Sequence, residues 1–216
     1  MTLPAGELRG VSERDVRYLI IQPIAVRGDD GTDAAEVRLY EKEIARVYRQ
    51  AGIEIVWLPQ VFLDSTESRD GELSPDEIVK LGRSQGVWGR GVPRINLIFV
   101  NAINGQPGPR GLGMTPGPIC FVALPKTAKD TEMEAFCIIH EMGHCLGLIH
   151  AIDDPRVDDH IPSVMGDGAF SERIGDSALQ PPHVVTIRAS HLVLRSNTSP
   201  AEQGGAGQPA TRSESK

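Results

Sequence analysis

From position 140 the chain runs His140-Glu141-Met142-Gly143-His144-Cys145-Leu146-Gly147-Leu148-Ile149-His150, the order H-E-x-x-H-x-x-G-x-x-H. On a helix, His140 and His144 fall on one face, one turn apart. Two neutral imidazoles so placed can hold a single metal ion, with Glu141 leaning toward a metal-bound water as general base. Gly147 suits the left-handed conformation that ends a helix, and the turn after it returns His150 as a third ligand. Three protein ligands with one position open describe a catalytic zinc site rather than a structural one. A core helix with incidental histidines would have to bury three imidazoles and a carboxylate without compensation.

This motif resembles the signature of the metzincin clan of zinc metallopeptidases, in which a long zinc motif is followed by a Met-turn. Ser163-Val164-Met165-Gly166-Asp167 follows at the expected distance. The resemblance implies that Met165 is the Met-turn methionine, where a plainer reading would have it fill a core gap. Two positions depart from the clan's patterns. Asp167 stands where some of its families place a tyrosine, and Ala151, just after the third histidine, matches none of their usual markers. No subfamily is assigned on these residues.

The implied fold is α/β (α+β). A twisted mixed sheet with two long helices forms an N-terminal subdomain over 15–147, and a small irregular C-terminal subdomain over 148–196 ends in a helix. Positions 1–14 and 197–216 are expected to be flexible ends, the latter being rich in Ser, Gly, Pro and Gln without apolar periodicity. The implied function is that of a zinc-dependent endopeptidase, with one catalytic Zn²⁺ held by His140, His144 and His150 and a zinc-bound water activated by Glu141. In metzincins the strand before the zinc helix is the sheet edge along which substrate pairs. By that resemblance Gly111-Leu112-Gly113-Met114 is the candidate rim, with Leu112, Gly113 and Met114 touching a peptide or protein substrate through the backbone. Two other readings stay open: a zinc-binding interaction domain without catalysis, and a zinc amidase acting on a non-peptide amide.

Composition narrows the partners. With 216 residues the chain holds one domain of that size, and a monomer is expected. A net charge of −7 argues against nucleic-acid binding, which wants a basic patch. No apolar run approaches the roughly 18 residues of a membrane span. The first residues, Met1 to Gly10, lack the basic and apolar regions of a signal peptide, and three cysteines leave at least one thiol free. Cys137 and Cys145 would lie about 12 Å apart along one helix, too far for a disulfide. A cytoplasmic location is the expectation, with export by a route without a cleaved signal, or a leader missing from the sequence, left open.

Along the chain, positions 15–26 read as a buried strand. Asp33 and Glu36 resemble a helix start, and Val37, Tyr40, Ile44, Val47, Tyr48 and Ala51 continue a five-turn amphipathic helix closed by Gly52. Ile53 to Leu58 is a second strand. Ser74-Pro75-Asp76-Glu77 opens a short helix in an otherwise polar stretch that also holds Trp88. Strands follow over 94–100 and 119–124, then the zinc helix over 131–146. Asp153, Asp154, Asp158 and Asp159 read as a solvated acidic loop, and Pro181-Pro182 opens a final helix reaching Arg195.

Overall fold

A single long strand, β1 (Arg17–Gly28), organises the sheet because its middle, from Leu19 to Val26, is mostly apolar and buried on both faces. Its alternate residues divide between two cores. Leu19 and Ile21 join one, and Ile24 and Val26 join the other. The computed structural model describes residues 16–28, 31–65, 75–84, 92–103, 108, 110–113, 117–126, 130–166 and 178–195. In it β1 is followed by α1 (Glu41–Arg49), β2 (Ile53–Trp57), β3 (Val61–Ser65), α2 (Pro75–Ser84), β4 (Ile95–Val100), β5 (Arg110–Gly113), β6 (Ile119–Ala123), α3 (Thr131–Cys145), α4 (Pro181–Ala189) and β7 (Val193–Arg195).

The sheet runs β2-β1-β4-β6-β5, with β1, β2, β4 and β6 parallel and β5 antiparallel to β6. One side of β1 pairs first with β2 and then with β3. Its other side pairs with β7, antiparallel, and then with β4. β4 is buried throughout and β6 from Cys120 onward, which explains their mostly apolar sequences, since parallel strands covered on both faces need no polar alternation. Ile95, Leu97 and Phe99 of β4 face the core shared with α1 and α3, while Ile98 and Val100 face the core against which Val79 of α2 packs. The mixed α/β class is thus the observed one.

Several boundaries differ from expectation, each for a local reason. The first helix has nine residues, not five turns: Asp33 and Tyr40 both take positive φ, and the chain between them is not helical. Arg38 and Tyr40 are drawn instead to Glu134 on α3. Gly52, at φ 67, does close the segment. An unforeseen strand, β3, pairs with the far half of β1, where Leu63 supplies its buried contact. The last helix stops at Ala189, and residues 193–195 rejoin the sheet as β7 rather than extending the helix. The sheet edge beside the zinc-motif helix is β5, since β6 lies between β4 and β5. Trp88, Met114, Asp167 and the cap residue Ser74 fall outside the described residues. Among the described residues no helix is long and apolar enough to cross a membrane.

Candidate metal centre

The helix that carries the motif starts at Asp130, whose carboxylate accepts the Met133 N–H at 3.1 Å. It is buried nearly all round, through Ala135, Phe136, Ile138, Ile139, Met142 and Cys145. It ends as the glycine demanded. Gly147 has φ 95, its N–H bonds the His144 carbonyl at 2.9 Å, and the Leu148 N–H bonds the Gly143 carbonyl at 3.0 Å. This paired pattern at a left-handed glycine turns the chain back across the helix end. His150 arrives beside the two helical histidines, and the next residue is tied down by Ala151 N–H to Met165 O at 2.8 Å.

The three Nε2 atoms converge. They are 3.1 Å apart between His140 and His144, and 3.2 Å from each of these to His150. For bonds of about 2.0–2.1 Å to a tetrahedral ion, ligand nitrogens stand roughly 3.3–3.4 Å apart, so this triangle fits a metal closely. The far nitrogens settle the tautomers. His140 Nδ1–H donates to the Val164 carbonyl at 2.9 Å, and His144 Nδ1–H donates to the Leu148 carbonyl at 3.0 Å. A carbonyl only accepts, so the proton sits on Nδ1 and the Nε2 lone pair faces inward. Lone pairs gathered this way repel one another unless a cation lies between them. Burial and the neighbouring imidazoles push His140 down to about 4, and burial followed by His150 pushes His144 down as well. Both rings are therefore neutral, the form that binds metal. Among the described residues this is the one His/Cys/Asp/Glu group placed to hold an ion.

Glu141 lies beside the triad with 8 % exposure. Burial lifts its carboxyl to about 7, and a hydrogen bond from the Gly113 N–H pulls the other way. Leu112 stands exposed on the same strand, β5. Of the expected rim, Gly113 meets Glu141, Leu112 is exposed on the same strand, and Met114 lies outside the described residues.

Met165 sits in the turn over 163–166, where Ser163 Oγ accepts the Met165 N–H at 3.1 Å and the Gly166 N–H bonds the Ser163 carbonyl at 3.0 Å. The methionine is fully buried beneath α3, so close that a Cβ on Gly143 would come within 2.6 Å of its sulfur. The same turn supplies the Val164 carbonyl that orients His140. That second link was not visible beforehand, because a carbonyl belongs to every residue.

Other expected residues sort differently. Asp153 stays on the rim, 3.9 Å from His150 Nδ1, while His150 presents Nε2 to the triad. Asp154 is no solvated acid: it is buried and holds Arg156 through both carboxylate oxygens, at 2.8 and 2.7 Å. Cys120, Cys137 and Cys145 are all free thiols. Cys137 packs at the edge of the core, with its thiol pushed up to about 12 by burial and then by Glu141 and Glu134. Sequence reasoning also missed the buried cluster at the start of α3. There Glu134, with no exposure, accepts Arg38 Nε–H at 2.7 Å and the Tyr40 hydroxyl, and Arg38 also reaches the Pro125 carbonyl at 2.8 Å.

No family model and no curated protein matches the sequence. Solved structures do match by shape. Metalloproteinase-II from Bacteroides fragilis superposes with a TM-score of 0.53 at 11% identity, covering 83% of this chain and 54% of its own. The chain therefore spans about half the length of that protein. Archaemetzincin from Methanopyrus kandleri (TM-score 0.47, 15% identity, 79% of this chain and 94% of that one) and OgpA from Akkermansia muciniphila (0.46, 16%, 89% and 66%) also align. At these identities the likeness speaks for fold. The chain shares the fold of the Bacteroides fragilis metalloproteinase, and its histidine triad could hold a metal ion where the motif places it.

Proposed function

We propose that the chain is a zinc-dependent endopeptidase, with His140, His144 and His150 as zinc ligands and Glu141 as the catalytic acid–base group. The observation that carries this reading is the convergence of three histidine Nε2 atoms beside one buried carboxylate. Imidazole ligands suit several transition metals, and a three-histidine set with an open fourth position favours zinc. When bound, zinc supplies Lewis acidity toward a water molecule and toward the scissile carbonyl.

The chain's own residues do the rest. The Val164 and Leu148 carbonyls hold two imidazoles in the tautomer that presents Nε2. Glu141 accepts the proton of the attacking water and returns it to the nitrogen of the departing amine, one carboxylate acting as base and then acid. Its buried position suits both halves of that cycle near neutral pH. Met165 acts as the Met-turn, a polarizable floor under α3 in the turn that also fixes His140. An extended peptide would add to the sheet at β5, the edge strand, with Leu112, Gly113 and Met114 along its path.

The test is a peptide-library digest by purified protein, repeated after chelation and after zinc is restored. Cleavage that disappears with the metal and returns with it is the expected result. Cleavage indifferent to chelation, or none with one zinc per chain, contradicts the proposal.

A further inference from the structure

Strand β5 has an unusual composition for a sheet edge: Arg110 and Leu112 alternate with Gly111 and Gly113. Alternation along a strand puts the two glycines on one face and the two side chains on the other. Glycine weakens a strand interior, and where it recurs another group commonly approaches the backbone closely. Here that group is Glu141. A Cβ on Gly111 would lie 2.5 Å from Glu141 Oε1 and 2.6 Å from Cδ. A Cβ on Gly113 would lie 2.6 Å from the Glu141 backbone oxygen, 2.7 Å from His144 Cβ and 3.2 Å from Glu141 Oε2. These distances are too short for any side chain, and the Gly113 N–H donates to the Glu141 carboxylate.

Resting on the peptidase reading, we propose that Gly111 and Gly113 are positioning residues: a side-chain-free seat on β5 that aims the Glu141 carboxylate. Gly111 leaves room for the carboxylate itself, and Gly113 lets α3 approach at Glu141 and His144. One backbone then fixes both the edge strand offered to a peptide and the acid–base group that would act on it, so the two keep a constant register. A larger residue at 111 would turn the carboxylate away from the metal side without touching any metal ligand.

Thermal unfolding of a double-mutant cycle tests the seat independently of activity. Gly111→Ala should lower Tm by several degrees in the wild-type background. In Glu141→Ala the same change should leave Tm level or raise it, because the obstacle is gone and alanine restricts the unfolded chain. Gly113→Ala should lower Tm in both backgrounds, since its obstacles are the Glu141 carbonyl and His144 Cβ. An equal effect of Gly111→Ala in both backgrounds would overturn the seat. A second reading is kinetic: Gly111→Ala with its full zinc content should lose about 10–100-fold in kcat at nearly constant KM. Full kcat in that variant would overturn the positioning role. If the wild type cleaves nothing, the peptidase reading fails while the Tm cycle still decides the geometry.

Discussion

Around His140 three backbone-level facts act together: its Nδ1–H bonds the Val164 carbonyl, the next residue Met165 fills the space under Gly143, and Ser163 pins that turn. The imidazole is therefore aimed by a turn more than twenty positions away in the chain, not by its own helix alone. Gly143→Ala should drive a methyl group into the Met165 sulfur. Overpacking of this kind costs about 1–3 kcal/mol, and the displaced turn should also weaken metal affinity. Denaturation together with competition against a chelator measures both; a variant with unchanged stability and unchanged affinity would contradict the coupling. At this scale the motif was readable because helical spacing converts identity into geometry: His140, Glu141 and His144 need only a helix, and His150 needs only the break at Gly147. The Val164 carbonyl and the seat for Glu141 were not readable, since backbone groups and empty space leave no letter of their own.

The elements meet at places the periodic pattern could not announce. The first turn of α3 carries a buried carboxylate, Glu134, whose partner Arg38 lies on the non-helical segment before α1. That long-range pair explains why a segment with helical periodicity is pulled straight: a buried charge left unpaired costs more than the few turns of helix forgone. Arg38→Met should destabilise the fold by about 3–5 kcal/mol, as removal of one partner of a buried pair does, while Arg38→Met with Glu134→Leu should regain most of it. Chemical denaturation of the two variants measures this, and a double variant no better than the single one would contradict the account. Strands β1, β4 and β6 were readable from their β-branched and largely apolar residues. Strands β3 and β7 were not, since each is short and depends on a free stretch of β1 to pair with.

Across the whole molecule, the segment after Gly147 is bound back to the sheet that precedes it. Leu148, Met165, Leu179, Ile187 and Val193 share one core with Leu19 and Ile139, and β7 pairs with β1. The loop that follows the triad is held by Asp154, whose carboxyl the Arg156 side chain lowers to about 2 from an ordinary 3.8. A depressed carboxyl stabilises the fold above its unfolded value, and the contribution is lost as pH falls through the folded one. The Tm advantage of wild type over Arg156→Gln should therefore be full above about pH 4 and vanish toward pH 2; an advantage that grows on acidification would contradict the pairing. The fold gathers three histidines where they could hold one metal ion, with one buried carboxylate beside them to move a proton. The most direct test compares wild type with Glu141→Gln, measuring zinc per chain and peptide hydrolysis on the same preparations. One zinc in each, with hydrolysis reduced about 10²–10⁴-fold or more in the variant, is the predicted result. Equal hydrolysis by both proteins, or no zinc in either, would contradict it.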